Sequence, residues 1–259
     1  MSLGPISGIF PAVTSPATRR VASCVALSLA AATATAQSIP GAVLAKHEPH
    51  HHLAFEDATI RVLRVRVAPH DTTLLHEHDP DYFWVALGAS TVVNAKPGIA
   101  DATITSADQS VHYTIGNFAH VARNPGDAPF DNITVELLEP QTNVRNLCEH
   151  ALGDKPLDCP ATGEGAEFFT GGAEHPAFAT DQIRVSLVTI APGQSLRSST
   201  VTKPAWVIAL DTASTRHELV TAGVPRWVGG TFRSSPGRKW SVTNRGRVAI
   251  DVVTVTKLR

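Results

Sequence analysis

The sequence has few charged residues, a single methionine and only three cysteines in 259 residues. Charged residues make up 17% of the chain and the formal net charge is −1, so no basic stripe or acidic tail favours a nucleic-acid partner. No apolar run is long enough to be a permanent bilayer-spanning helix. The chain is 43% hydrophobic, which suffices for a core, and its frequent valine, threonine, proline and glycine favour short strands joined by turns.

The first 36 residues have a different character from the rest. Arg19 and Arg20 precede an apolar stretch, residues 21–32, which is followed by Ala34-Thr35-Ala36. A basic flank, a short apolar run and a small-x-small site are the parts of a secretory signal peptide. We therefore expect residues 1–36 to be cleaved and the protein to be exported, to the periplasm or the extracellular space, with no membrane attachment afterwards. A disordered, alanine-rich tail on a cytosolic protein is the alternative.

Two cysteines would remain after that cleavage, because Cys24 would be removed and Cys148 and Cys159 would stay. An even, closely spaced pair suits an oxidising compartment. We expect a disulfide that closes a small loop, worth about 2–3 kcal/mol on the chain-entropy model. Two unpaired thiols in a flexible linker are the alternative.

An internal repeat divides the chain into two halves. Residues 55–69 align without gaps on residues 178–192, an offset of 178 − 55 = 123. Later in each half Asn124 and Gly126 match Asn244 and Gly246, at an offset of 120. Because this period is too long for a solenoid unit and right for a small domain, the sequence predicts two tandem domains, residues 37–145 and 173–259. Residues 146–172 form the predicted linker with the disulfide.

Both halves have the pattern of all-β domains. Runs rich in β-branched and aromatic residues, separated by turn signals such as Asp79-Pro80 and Pro97-Gly98, predict strands near 59–67, 82–87 and 132–138. No convincing amphipathic helix longer than about two turns is present. Closure into jelly-roll barrels would remove the exposed edges that many short strands create.

Three histidines in the first half have the spacing of metal ligands. In His76-Glu77-His78 two imidazoles lie on the same face of a strand, because side chains alternate with period two. His120 follows on another strand-like element, and three neutral imidazoles suit Fe, Mn, Ni, Cu or Zn with open positions for water or substrate. Packing histidines are the alternative. The second half has none of the three: the equivalent positions hold Ser199, Val201 and Trp240.

These motifs resemble those of the cupin superfamily. Ala68-Pro69 through His76-Glu77-His78 to Gly88 looks like the first cupin motif, and 116–120 with Asn124 looks like the second. The resemblance covers about residues 55–259 and implies a bicupin, with two tandem double-stranded β-helix barrels of which the second is degenerate. It also implies a metal site built from the two histidines of the first motif, a glutamate, and the histidine of the second.

The sequence departs from the family pattern at two places. The glutamate position, counted back from Gly88, falls on Tyr82 with Asp81 before it. We expect three histidine ligands with Tyr82 facing the cavity; Asp81 is the candidate for a fourth ligand if the Asp79-Pro80 turn breaks strict alternation. In the second motif the usual proline and glycine positions hold Ile115 and Asn117.

Other aromatic residues and histidines of the first half have less specific roles. Trp84 and His112 are candidates to line the cavity, although a packed core histidine is the safer reading of His112. The run His50-His51-His52 is expected to be a solvated polar turn, with a second weak metal site or a lid over the barrel as alternatives.

The resemblance implies a metal-dependent enzyme, dioxygenase-like in its chemistry, that acts on a small organic molecule inside the first barrel. This inference rests on fold-level analogy. Two alternatives stay open: a non-catalytic protein that binds a metal or a small ligand, and a purely structural β-protein. Since the two barrels can pair within one chain, the expected state is a monomer, or else a homodimer.

Overall fold

A computed structural model describes Met1 and residues 39–159, 169–198, 203–211, 219–223 and 227–259. The predicted signal peptide lies outside these ranges apart from Met1, and so do Ser199 and Val201. Among the described residues, no helix is both long and apolar enough to cross a membrane.

The first half is made of strands, as its alternating sequence pattern predicts, and one short 3-10 helix at Ala45–His47. The strands are β1 (Val43–Leu44), β2 (His51–Glu56), β3 (Ile60–Val67), β4 (His76–His78), β5 (Tyr82–Ala86), β6 (Ser90–Ala95), β7 (Ala102–Ser106), β8 (Val111–Thr114), β9 (Phe118–Arg123) and β10 (Phe130–Leu137). They form two five-stranded sheets, in the orders β1-β4-β9-β6-β7 and β2-β3-β10-β5-β8.

The two sheets of the first half face each other across an apolar interior. Leu63 and Val65 of β3 meet Val92 of β6 and Ala122 of β9 there, so both sheets contribute buried residues to one cluster. Successive residues of β5 separate by face: Tyr82, Trp84 and Ala86 point into this interior, while Phe83 and Val85 belong to a different cluster on the outer face. This is the period-two alternation of a strand that is buried on both sides.

The second half repeats this arrangement. Its strands are β11 (Arg145–Asn146), β12 (Phe169–Thr170), β13 (Ala173–Ala179), β14 (Ile183–Ile190), β15 (Ser195–Ser198), β16 (Ala205–Ala209), β17 (Leu219–Ala222), β18 (Thr231–Ser234), β19 (Ser241–Asn244) and β20 (Ile250–Lys257). The order β13-β14-β20-β16-β18 reproduces β2-β3-β10-β5-β8, and β15-β19-β17 reproduces β4-β9-β6. The predicted tandem jelly-roll architecture is therefore confirmed.

A buried asparagine makes the same turn in each barrel. The amide of Asn124 donates to the carbonyls of Val67 and Ala128, and its Oδ1 accepts from the backbone N–H of Gly126. The amide of Asn244 donates to the carbonyls of Ile190 and Val248, and its Oδ1 accepts from the N–H of Gly246. The repeated Asn-x-Gly of the sequence therefore fixes the connection to the last strand of each barrel.

The barrels pack together through their outer faces. Phe178 of β13 contacts Phe83 and Tyr113 edge-on, with ring centroids 5.4 and 5.1 Å apart. Polar contacts flank this core: the guanidinium of Arg64 donates to the carbonyls of Ala209 and Leu210. One continuous apolar cluster thus belongs to both barrels.

Parts of the predicted linker, residues 146–172, take part in the second barrel. β11 pairs with β13, and β12 pairs with β15. Phe169 is buried in the core of the second barrel. A disulfide joins Cys148 to Cys159.

Candidate metal centre

Strands β4 and β9 place three histidines together at the inner face of the first barrel. The strands are antiparallel, and their register sets His76 directly opposite His120. The ring centroids of His76 and His120 are 4.4 Å apart, and those of His78 and His120 are 5.5 Å apart. The structure therefore brings together the three histidines that the motifs indicate.

His51 of β2 joins this cluster. Its ring centroid lies 4.6 Å from that of His76 and 5.9 Å from that of His78. One ring nitrogen each of His51, His76 and His78 lies within 4.8 Å of the others, which is close enough to share one ion. The expectation of a solvated turn at 50–52 is wrong for His51, which is 7% exposed, while His52 beside it is exposed.

Each of the four imidazoles is held through its Nδ1 atom by a different group. His76 Nδ1 is 2.9 Å from the carbonyl oxygen of Leu74, which can only accept, so the proton is on Nδ1. The other three contacts are His51 to Glu48 at 2.6 Å, His78 to Glu136 at 3.0 Å and His120 to Asn94 at 2.9 Å. With Nδ1 protonated, Nε2 carries the lone pair that binds a metal.

Two of these Nε2 atoms have no hydrogen-bond partner although they are buried. They belong to His76 and His120. Leaving a buried acceptor unpaired costs free energy, so such atoms call for an explanation. A transition metal ion between the rings would supply it, and the donor set of imidazole nitrogens fits such an ion.

Three of the histidines, His51, His76 and His120, have a lowered pKa, which favours the neutral form that metal ligation requires. Burial, together with the neighbouring His51 and His78, lowers the pKa of His76 to about 3. Burial, together with the neighbouring His76 and His78, lowers the pKa of His120 to about 2. Burial also lowers the pKa of His51, against the opposing effect of its hydrogen bond to Glu48.

Two buried carboxylates lie behind the histidines. Burial alone would raise the pKa of Glu48, but hydrogen bonds from His51, His50 and the N–H of Leu74 lower it to about 2. Burial also opposes ionisation of Glu136, yet the hydrogen bond with His78 and the charge of Arg61 lower its pKa. Both groups are therefore anionic at neutral pH and orient imidazoles without facing the ion position themselves.

Asp81 is not placed as a metal ligand, which corrects the expectation of a possible fourth ligand there. Its Oδ2 accepts a hydrogen bond from the Tyr113 hydroxyl, and its Oδ1 accepts from the N–H of Gly116 at 2.8 Å. Asp81 lies at the end of a turn rather than inside β5, so its carboxylate ties that turn to the β8–β9 connection. His51, from a strand that precedes the first motif, stands beside His76 and His78 instead.

The β8–β9 connection passes very close to the Asp79-Pro80 turn. A Cβ on Gly116 would lie 2.3 Å from the backbone of Pro80, so only glycine fits. Asn117 has φ +64°, a conformation that asparagine tolerates well. Its N–H donates to the carbonyl of His78 at 2.6 Å. The shifted glycine of the second motif thus has a steric reason, and it aligns His120 with His76.

Tyr82 and Trp84 line the cavity, and His112 lies beside Trp84. The Tyr82 ring stacks on His78, with centroids 4.1 Å apart. Trp84 stacks on His112 at 4.1 Å, and the Nε2 of His112 bonds the Ser110 hydroxyl. His112 pairs with Trp84 across β5 and β8 and stacks on its ring, and it is not among the residues that line the cavity, so the lining role expected of it is corrected.

The cavity above the histidines is small, with a volume of about 70 Å³. All four histidines line it. The other walls combine apolar and aromatic side chains with a few uncharged polar groups, namely Val65, Tyr82, Trp84, Val92, Asn94, Ile104, Thr114, Ala122, Phe130, Asn132 and Thr134. A concave, mostly apolar site with a few polar groups is typical of small-molecule binding.

The second barrel has a filled interior where the first has its histidines. Trp240 replaces His120 and packs against Phe169 and Phe232, with centroids 5.8 and 5.2 Å apart. The surrounding buried side chains are apolar, including Leu196, Val207 and Val242. The loss of histidines in this half is thus accompanied by large side chains that occupy the centre.

Comparisons with known proteins find likeness in fold but not in sequence. No family model and no curated protein matches the chain. Among solved structures, AerE from Microcystis aeruginosa has a TM-score of 0.54 at 12% identity, over 82% of this chain and 94% of that one.

Two further solved structures are similar to parts of this chain. A cupin domain from Bordetella pertussis has a TM-score of 0.32 at 20% identity, over 39% of this chain and 97% of that one. A salicylate 1,2-dioxygenase from Pseudaminobacter salicylatoxidans has a TM-score of 0.46 at 10% identity, over 77% and 71%. At such identities the likeness concerns the fold alone. The chain has a fold of two tandem jelly-roll barrels.

Proposed function

We propose that this chain is an exported metal-dependent enzyme of dioxygenase-like chemistry that acts on a small organic molecule in its first barrel. The metal ion would be held by Nε2 of His76, His78 and His120, with His51 as a fourth ligand. The observation that carries the metal site is the pair of buried, unpartnered Nε2 atoms on His76 and His120.

A bound transition metal would polarise a substrate or activate oxygen or water at an open coordination position. The chain's own residues contribute the rest. Backbone and side-chain acceptors fix each imidazole in one orientation, and the apolar walls exclude bulk water from the ligands. Tyr82, stacked on His78, limits how that ring can turn.

Export is supported by the Cys148–Cys159 disulfide, since such bonds persist in oxidising compartments. Fractionation of the producing cells, with the disulfide state assayed in each fraction, tests this part separately. A reduced protein confined to the cytosol would contradict it.

A second candidate is a non-catalytic protein that captures a metal or small ligand. The observation that favours it is that no carboxylate or amine lines the described part of the cavity to act as a general acid or base. Oxygen uptake with panels of small organic substrates, measured on iron- and manganese-loaded protein, distinguishes turnover from binding.

Elemental analysis of purified protein tests the metal site itself. We expect close to one transition metal ion per chain in the wild type and loss of it in His76→Ala and His120→Ala. The matched control is His70→Ala, since His70 is exposed and pairs only with Asp127 in the described structure. Unchanged metal content in both cavity variants, with intact folding, would place the metal elsewhere.

A further inference from the structure

The described wall of the cavity over the histidines is uncharged, although charged groups lie around it. The described residues that line it include no lysine, arginine, aspartate or glutamate. The polar wall groups are amides and hydroxyls, and some of these bond each other: the Thr134 hydroxyl donates to Oδ1 of Asn132 at 2.8 Å. The wall also includes the apolar side chains of Val65, Ile104 and Phe130.

A lysine that acts electrostatically on one of the cavity histidines lies outside the cavity. Lys96 acts on His120 electrostatically, but its ammonium nitrogen sits 3.8 Å over the Phe118 ring and is not part of the wall. Arg61 is likewise engaged, with Glu56 and Glu136. No described cation is therefore placed to receive the carboxylate of a bound molecule.

Two carboxylates next to the histidines would also partly neutralise the charge of a divalent ion. Glu48 bonds His51 and Glu136 bonds His78, so two carboxylates stand one imidazole away from the ion position. These anions reduce the attraction that the ion exerts on an anion entering from the cavity. An anionic group placed against the apolar wall would lose its hydration without a partner.

We propose that the first barrel takes an uncharged, flat organic molecule, such as an aromatic amide or a neutral phenol, and discriminates against carboxylates. This rests on the proposed function, in that the cavity is taken to be the place of the substrate. The aromatic rings of Tyr82, Trp84 and Phe130 give the flat walls, and Asn132 and Thr114 supply hydrogen bonds to an uncharged polar group.

The test compares two probes of nearly equal shape, benzamide and benzoate, by calorimetric titration at neutral pH. Each is titrated into the metal-free protein and into the zinc-loaded protein. We expect benzamide to bind at least about tenfold more tightly than benzoate in both forms, because only benzoate buries an unpaired charge. Equal or tighter binding of benzoate in either form would overturn the proposal, and so would no detectable binding of both probes.

Two matched variants test whether the preference for benzamide over benzoate comes from the cavity wall. Ile104→Lys adds a cation at the half-buried cavity position, so we expect the preference to shift toward benzoate by about tenfold or more. Ile99→Lys adds the same charge at a position that is 63% exposed and outside the wall, and should leave the ratio unchanged. The same shift in both variants, or in neither, would count against the wall as its origin.

The proposed metal site and the proposed substrate class would be contradicted by different results. If the protein binds no metal, the titration of the metal-free form still measures the wall preference. If metal binds at the histidines but benzoate is favoured, the metal centre stands and only the substrate class is wrong.

Discussion

His76 and His120 are direct partners across the antiparallel pair β4–β9, and their rings are 4.4 Å apart. The pairing joins a residue of the first motif to a residue of the second. Strand register, rather than a loop, therefore fixes the spacing of these two proposed metal ligands. A site built on rigid strands can be tested by changing the groups that orient its ligands.

Removing an orienting carboxylate should weaken metal binding without removing a ligand. We expect Glu136→Gln and Glu48→Gln each to lower zinc affinity by about 10–100-fold, since such groups fix the tautomer and raise the basicity of the imidazole. The measurement is competition with a chromophoric chelator. Glu56→Gln is the control, because Glu56 bonds Arg61 and no cavity histidine. Equal effects in all three variants would show a general electrostatic cause instead.

His51 and its neighbour offer a matched pair for the fourth ligand. His51→Ala should lower metal affinity by more than about tenfold, equivalent to about 1.4 kcal/mol, while the remaining histidines still hold the ion. His52→Ala should have no effect, since His52 is exposed on the same strand. Identical chelator-competition curves for the two variants would remove His51 from the ligand set.

Gly116 should tolerate no side chain. Gly116→Ala would force a methyl group into the backbone of Pro80, and we expect a loss of about 1–3 kcal/mol in the free energy of unfolding, as for other overpacked sites. Gly126→Ala is the control, since its Cβ would meet only Asn124 at 3.4 Å. Urea denaturation measures both. A stable Gly116→Ala protein would mean that the Asp79-Pro80 turn can move away.

The shared apolar cluster should make the two barrels unfold together. Phe178→Ala, at the centre of the contact, is expected to cost about 3–5 kcal/mol, whereas Val248→Ala at an exposed site should change stability by less than about 0.5 kcal/mol. Calorimetry should show one transition for the wild type. Two resolved transitions in the wild type would contradict the expected coupling.

The sequence predicted the architecture well because two independent signals agreed. The offset of 123 residues carries β3 onto β14, residue by residue, and the strands predicted near 59–67, 82–87 and 132–138 are present. Register and period-two alternation are local properties, and they bring His76, His78 and His120 together. That these three histidines bind a metal stays a prediction.

His51 was missed because its position depends on irregular pairing. β2 has a register shift between Leu53 and Phe55, so alternation does not run through the strand. Leu53 is 55% exposed although its sequence neighbourhood is apolar. The signal that could have found His51 was Glu48, three residues earlier, which is a carboxylate able to orient an imidazole. No sequence pattern reveals that the carboxylate of Asp81 accepts hydrogen bonds from Tyr113 and Gly116.

Strand β13, which packs against β5 and β8, gives the second barrel a structural role although this barrel lacks the histidines. Its outer face is the cover for Phe83, Val85 and Tyr113, which would otherwise form an apolar surface open to water. A chain ending at residue 145 would keep every histidine of the cluster and yet be prone to aggregate. The second barrel thus shields an apolar face of the first from solvent.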